Sequence, residues 1–205
     1  MRLILASASQ GRLGVLRGAG IDPVVRVSGV DEDALAATLA DASPEQLVTA
    51  LASAKADAVA AQVAGEYSDA VIVGCDSMLH IGGELVGKPG CADAAARRWK
   101  EMAGRSGELI TGHAVVRLDR GVRTASTSGA QATVVHFGAP SPAEIQAYID
   151  SAEPLQVAGG FTLDGRGGWF VDGIDGDPSS VIGISLPLTR RLLAEVGVSV
   201  VTLWS

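Results

Sequence analysis

Short apolar runs alternate with polar, capped stretches along the chain, and their spacing predicts an α/β order of elements. Leu3–Ala6 reads as a buried strand, followed by the polar stretch Ser7-Ala8-Ser9-Gln10-Gly11-Arg12 and a helix through Leu13, Leu16 and Arg17 that ends near Gly18 or Gly20. Val24–Val27 is a second strand, and Asp31-Glu32-Asp33 a charged loop after it. Ser43-Pro44-Glu45-Gln46 joins an N-cap, a proline at the first helical position and Gln at N3, so the Ala-rich run to about Ala64 is a helix carrying Lys55.

Ala70–Val73 leads through Gly74-Cys75-Asp76-Ser77 to further strand at Met78–Ile81, a Gly82-Gly83 turn and a short strand Leu85-Val86, a hairpin that ends at Gly87-Lys88-Pro89. A helix over Ala92–Ala103 follows. Glu108–Leu118 and Val122–Phe137, joined by Asp119-Arg120-Gly121, are extended and predicted to pair antiparallel. Ser141-Pro142-Ala143-Glu144 repeats the capping pattern and starts a helix to about Asp150. Short strands are expected at Phe161–Leu163 and Trp169–Val171, a helix at Pro187–Val196 and a last strand at Val198–Trp204. The long central hairpin disfavours a wholly parallel, doubly wound sheet, so a mixed twisted sheet with flanking helices is predicted. No linker and no internal repeat divides the chain, which predicts a single domain over residues 1–205, or two lobes that share a core.

Composition narrows the function. With 47% apolar and 19% charged residues the chain is not disordered, and at 205 residues it buries roughly 70% of its unfolded surface without disulfides or structural zinc. The 23 acidic and 16 basic residues give a net charge of −7, which disfavours broad DNA or RNA binding yet permits a small cationic pocket for phosphates. Apolar runs break before the ~20 residues of a membrane span, and the run after Met1 is too short for a secretion signal. Cys75 and Cys91 form no CxxC motif. A cytoplasmic location, with no membrane and no stable nucleic-acid partner, is the expectation.

Several polar groups stand where chemistry is possible. Ser7, Ser9 and Arg12 mark a strand-to-helix junction that can receive a phosphate, or else cap the helix and lie in solvent. Asp76 ends an apolar strand, where a carboxylate holds Mg²⁺, orients water or caps a turn; Ser77 and Lys88 approach the same region if the hairpin folds back. Glu32, Lys55 and Arg105 add a carboxylate and two cations without any geometry, and Asp164, Asp175 and Asp177 bind metal or organise turns. The stretch at Gly11 does not complete GxGxxG, and Gly87-Lys88 lacks the P-loop frame. Cys75 and His80 read as a buried thiol and a turn or interface histidine, His113 and His136 as ordinary hydrogen-bonded or surface histidines. Trp99, Trp169 and Trp204 read as packing residues.

Taken in order, Leu3 to Arg12, Val30-Asp31-Glu32, Lys55-Ala56, Gly74-Cys75-Asp76-Ser77 and Gly87-Lys88-Pro89 closely resemble the Maf nucleotide pyrophosphatase family. Ser106-Gly107, Thr111-Gly112, Ala158-Gly159-Gly160-Phe161, Asp164-Gly165-Arg166-Gly167, Ile174-Asp175-Gly176-Asp177 and Ile182-Gly183 extend the likeness almost to the C-terminus. The resemblance implies a Maf/ITPase-like, two-lobed α/β fold with a central cleft, often presented by a homodimer. It further implies hydrolysis of nucleoside triphosphates to monophosphate and pyrophosphate with a divalent metal cation, Mg²⁺ or Mn²⁺. Ser9 and Arg12 fall on its phosphate-binding motif, Glu32 and Asp76 on its acidic and metal positions with Asp76 as proton acceptor, and Lys55 and Lys88 on phosphate positions. Ser77 and Asp164 fall on positions that bear on the substrate.

The chain also departs from that family. Ser9-Gln10-Gly11-Arg12 stands where Ser-Pro-Arg-Arg is common, so one arginine is missing. Cys75-Asp76-Ser77 replaces the Ala-Asp-Thr of the branch acting on pyrimidine triphosphates, and Asp164 takes a common Gln position. Substrate choice among dTTP, UTP, modified pyrimidine nucleotides and 7-methyl-GTP stays open. House-cleaning of noncanonical or pyrimidine nucleotides is the expectation; the alternative is a noncatalytic, nucleotide-responsive regulator of septum formation or cell division.

Overall fold

The computed structural model describes all 205 residues. Along the chain run β1 (Arg2–Leu5), α1 (Gln10–Gly18), β2 (Val24–Val25), α2 (Glu32–Ala37), α3 (Pro44–Val63), β3 (Asp69–Ile81), β4 (Glu84–Val86), α4 (Ala92–Met102), β5 (Ser106–Asp119), β6 (Val122–Phe137), α5 (Pro142–Asp150), β7 (Val171–Asp175), α6 (Pro178–Ile182) and α7 (Leu186–Glu195). The strands follow the order β2-β1-β3-β5-β6-β7, with β4 on β3. β1 is parallel to β2 and β3, while β4 on β3 and β7 on β6 are antiparallel, so the sheet is mixed, as the element order predicts.

The chain divides into two compact units: Met1–Asp76, Thr111–Gln131 and Gly183–Ser205 form the first, and Ser77–Ile110 with Ala132–Ile182 the second. In the first unit β1, β3 and β5 are buried on both faces, and their two-residue period sorts the side chains. Leu3, Leu5, Val71, Val73, Cys75 and Val115 meet Leu16 of α1 and Leu188, Leu192 and Leu193 of α7. Ile4, Ala70, Ile72, Ala114 and Val116 meet Ala52, Ala56, Val59 and Val63 of α3. α3 begins with the capping box the sequence predicts: the Ser43 side chain accepts from the Gln46 amide, and the Gln46 side chain accepts from the Ser43 amide.

The second unit is built on aromatic packing. Trp99 is fully buried, meets Phe137, Tyr148 and Phe170 edge to face at centroid distances of 6.1, 5.7 and 5.8 Å, and donates its indole N–H to the Gly160 carbonyl. α5 carries the second capping box, between Ser141 and Glu144.

Several expectations are corrected. The carboxylates at 31–33 do not form a loop: Asp31 caps α2 by accepting from the Ala34 amide, and Glu32 and Asp33 occupy its first turn, where the helix dipole favours anions. The second strand covers Val24–Val25 alone, and Val27 is exposed. Phe161–Leu163 is not a strand, and Trp169 lies in a 3-10 turn over Arg166–Phe170, so the extended segment starts at Val171. The run after Val198 forms a 3-10 turn over Val200–Leu203: Val198 and Leu203 enter the core while Val201 and Trp204 face solvent, which one turn achieves without a strand partner. Trp169 and Trp204, expected to pack, are 87% and 59% exposed.

Candidate active site

Two glycines seat α3 directly on the sheet of the first unit. A Cβ on Gly74 of β3 would overlap the Ala52 carbonyl and come within 2.9 Å of the Ala56 amide nitrogen. One on Gly112 of β5 would overlap the Val48 carbonyl and reach the Thr49 nitrogen at 2.6 Å. The alanines of α3 let the helix backbone descend onto these bare positions. Gly74 and Asp76 are two residues apart and therefore on one face of β3, so the helix that rests on Gly74 brings Lys55 over Asp76.

The Lys55 ammonium donates to Asp76 Oδ1 at 2.7 Å and lies 2.9 Å from Glu32 Oε2. The Lys55 and Asp76 side chains are 8% and 9% exposed, whereas Glu32 on α2 is 46% exposed. Burial raises the Asp76 carboxyl above its ordinary range; Lys55, by charge and by hydrogen bond, and Arg12, by charge, pull it back, while Glu32 raises it. Burial prevails, leaving a carboxylate more basic than a surface aspartate. Ionising Asp76 thus opposes folding: its contribution to stability is present below the unfolded pKa and is lost as pH rises through the folded one.

A consequence follows for Lys55→Met. The two strongest influences holding Asp76 down disappear, so its pKa climbs further, and the acid limb of kcat/KM moves to higher pH. A pH profile of the variant against the parent checks this; a limb that stays put or moves to lower pH would show that Asp76 does not govern it.

The junction of β1 and α1 supplies a second group in the same unit. Ser9 caps α1, its side chain accepting from the Arg12 amide at 3.4 Å, and Ser7 Oγ accepts from the Ser9 amide at 3.2 Å. Arg12 donates from Nη1 to Ser7 Oγ at 3.0 Å and from Nε to the Gly183 carbonyl at 2.8 Å. Its guanidinium acts electrostatically on both Asp76 and its neighbour Cys75. Cys75, on the opposite face of β3, is fully buried, and burial pushes its thiol up to about 11.

The structure therefore brings Ser7, Ser9 and Arg12 together, and Glu32 with Lys55 and Asp76, all within the first unit. Ser77, Lys88, Arg105, Asp164, Asp175 and Asp177 belong to the second. There Lys88 is exposed on a segment anchored by the Gly87 carbonyl, which accepts from Arg98 and from the Gly159 amide. Arg105 and Asp164 are exposed, Asp175 accepts from His136 Nε2 at 2.9 Å, and Asp177 accepts from the Ser179 amide. The turn-organising reading therefore suits Asp177, while Asp175 joins strands.

No group of three or more His, Cys, Asp or Glu side chains is arranged to hold a metal ion. The donor set of Glu32 and Asp76 still fits a hard cation of the Mg²⁺ type, which binds through one or two carboxylates with water and substrate phosphates rather than in an all-protein cage.

Sequence reasoning missed the Gly183 carbonyl as a partner of Arg12. His113, read as an ordinary hydrogen-bonded or surface residue, is hydrogen-bonded and fully buried, between Thr111 and Ser185. The alternation of β5, which places residue 113 opposite the α3 face, was the available signal.

No helix is long and apolar enough to cross a membrane. Comparison with known proteins gives full-length relatives. A protein of Saccharopolyspora erythraea named nucleoside triphosphate pyrophosphatase is 68% identical, across 100% of this chain and 97% of that one. Proteins of the same name from Rhodococcus opacus and Mycolicibacterium gilvum are 62% and 58% identical, covering 98% and 100% of this chain and 95% and 99% of theirs. Among solved structures, the Staphylococcus aureus Ham1 protein is a distant likeness, at 11% identity and a TM-score of 0.34 over 67% of this chain and 72% of that one. The sequence pattern of the Maf-like proteins matches residues 2–196, and this chain belongs to that family.

Proposed function

We propose that this chain hydrolyses nucleoside triphosphates to nucleoside monophosphates and pyrophosphate, the activity its relatives' names state, and acts on noncanonical or pyrimidine nucleotides. The observation that carries the reading is Asp76: a buried carboxylate held by Lys55 at 2.7 Å, with burial raising its pKa, in a chain that matches its relatives over nearly their whole length.

In the proposed step, Asp76 orients a water and accepts its proton as the water oxygen bonds to the α-phosphorus. The bond from that phosphorus to the bridging oxygen breaks, and pyrophosphate leaves with the electron pair. Lys55 fixes Oδ1 of Asp76, which directs Oδ2 to the proton. Arg12, with the serines at the start of α1, binds phosphate oxygens, and the family likeness gives Lys88 a phosphate-binding role. A divalent cation held by Glu32 and Asp76 would offset the negative charge of the phosphates. Dependence on Mg²⁺ or Mn²⁺ belongs to the proposal, as do the roles of Ser77 and Asp164.

The test is incubation of the purified chain with Mg²⁺ or Mn²⁺ and dTTP, UTP, CTP, modified pyrimidine triphosphates or 7-methyl-GTP, resolving monophosphate and pyrophosphate from diphosphate and phosphate. Matching monophosphate and pyrophosphate is the expected result. Nucleotide binding without turnover across the panel would overturn the enzyme reading and favour a regulator, consistent with Gly11 in place of a motif arginine. Lys88→Ala is expected to lower kcat/KM by about 10- to 100-fold, the worth of one charged hydrogen bond; kinetics equal to the parent would remove Lys88 from the site.

A further inference from the structure

We propose that His113 is a positioning residue for phosphate binding: acting through the backbone of residues 183–185, it fixes the plane of the Arg12 guanidinium without itself touching substrate. The proposal rests on the reading of Arg12 as a phosphate ligand.

His113 lies on the face of β5 that carries Val115, against the apolar layer formed with α1 and α7. An imidazole there is costly unless both nitrogens are paired. Both are: Nδ1 lies 3.0 Å from the Thr111 carbonyl, and Nε2 lies 2.7 Å from the Ser185 amide nitrogen. A carbonyl accepts and an amide donates, so one arrangement satisfies the ring: Nδ1 carries the hydrogen and Nε2 offers its lone pair. The Ser185 amide stands at the N-cap of α7, where no helical carbonyl serves it, and Ser185 is fully buried. His113 thus supplies the acceptor that a buried backbone N–H requires.

The same short segment holds Arg12. Two residues before Ser185, the Gly183 carbonyl accepts from Arg12 Nε at 2.8 Å. The arginine stem also lies against Gly183: a Cβ there would be 3.1 Å from Nε and 3.3 Å from Cγ. Ile184, fully buried between them, sets the depth of the segment in the core. Ser185 is tied to α7, its Oγ accepting from the Leu188 amide at 3.1 Å, and the His113 bond adds a hold on the peptide between Ile184 and Ser185, next to the one whose Gly183 carbonyl receives Arg12. With Nη1 tied to Ser7 Oγ at 3.0 Å as well as Nε to Gly183, the plane of the guanidinium is set before any phosphate arrives. Preorganisation of this kind acts on binding rather than on bond cleavage.

Steady-state kinetics of the full chain with a nucleoside triphosphate test this on five proteins: the parent, His113→Asn, His113→Gln, Arg12→Ala and His113→Asn/Arg12→Ala. Asn retains an N–H for the Thr111 carbonyl and loses the acceptor for Ser185; Gln reaches further and returns an acceptor oxygen. His113→Asn is expected to raise KM up to about tenfold, the range for one newly mobile side chain, with kcat within about twofold of the parent. His113→Gln is expected to recover most of that loss, and the double variant to match Arg12→Ala alone. A merely structural histidine predicts otherwise: a fall in kcat, and penalties in the double variant that add. Either result, or parent-like KM in His113→Asn, overturns the proposal. Parent-like kinetics in Arg12→Ala would instead strike down the reading of Arg12 beneath it, whatever His113→Asn does.

Discussion

Replacing Asp76 with asparagine is expected to lower the turnover of nucleoside triphosphate by about 10²- to 10⁴-fold, the usual contribution of a positioned proton acceptor. Asparagine has nearly the same shape, and its carbonyl oxygen can still accept from the Lys55 ammonium, which also keeps Glu32. What it cannot do is take a proton from water. Because Glu32 stays beside the Lys55 ammonium, that cation is not left unpaired, so the variant is expected to remain folded. Pyrophosphate release and a thermal unfolding curve on the same preparation check the two halves. Unchanged turnover would make Asp76 the wrong proton acceptor, whereas lost turnover with a collapsed melting point would make it a structural residue.

Gly112→Ala is expected to have the largest effect on stability. The new methyl would overlap the Val48 carbonyl, and the obstructing atoms are backbone, which cannot turn aside as a side chain can. α3 must lift, at a cost on the order of 3 kcal/mol. For a chain of this length that lowers the melting temperature by about 6–12 °C. Because α3 carries Lys55, kcat/KM is expected to fall with it. Gly14→Ala supplies the contrast: a Cβ there meets nothing within 4 Å, and the position is exposed inside α1, so the same chemical change is expected to stabilise by about 0.8–1 kcal/mol. Differential scanning fluorimetry of the three proteins reads both signs; an unshifted Gly112→Ala would mean that α3 does not rest where the backbone places it.

Local rules made much of the fold legible. The boxes at Ser43 and Ser141 each satisfy backbone donors within four residues, so the helices they open are written in contiguous sequence. The turns at Gly82-Gly83 and at Arg120-Gly121 likewise need no distant partner. The run after Val198 shows the opposite case: its residues suit a strand, but a strand exists through its neighbour, and these residues instead turn so that Val198 and Leu203 reach the core. The carboxylates at 31–33 carried a local signal, an acidic first turn behind an Asp cap, that reads as a helix start once the cap is given weight.

The candidate site divides in the same way. Ser9 as a helix cap is local. Asp76 reads as the end of an apolar strand, but β3 runs on through it to Ile81, because pairing with neighbouring strands carries the polar residues along. The pairing of Lys55 with Asp76 joins residues 21 apart through a helix seated on glycines, and the bond from Arg12 to Gly183 spans 171 residues. No spacing rule encodes either contact; both depend on how the strands order themselves in the sheet. The family likeness names Ser9, Arg12, Glu32, Lys55 and Asp76, all of the first unit, without showing what holds them.

Cys75 and Cys91 give this molecule a built-in pair of chemical clocks. Cys91 is exposed in the second unit and meets a thiol reagent at once, whereas Cys75, next to Asp76 in the first, is buried and its thiolate is suppressed. A reagent reaches Cys75 when the first unit opens, so its alkylation rate measures the opening free energy of the unit that carries Lys55 and Asp76. Cys91 reports the reagent in the same tube, and a nucleotide that binds the folded first unit would register as a slower Cys75, read without any turnover at all.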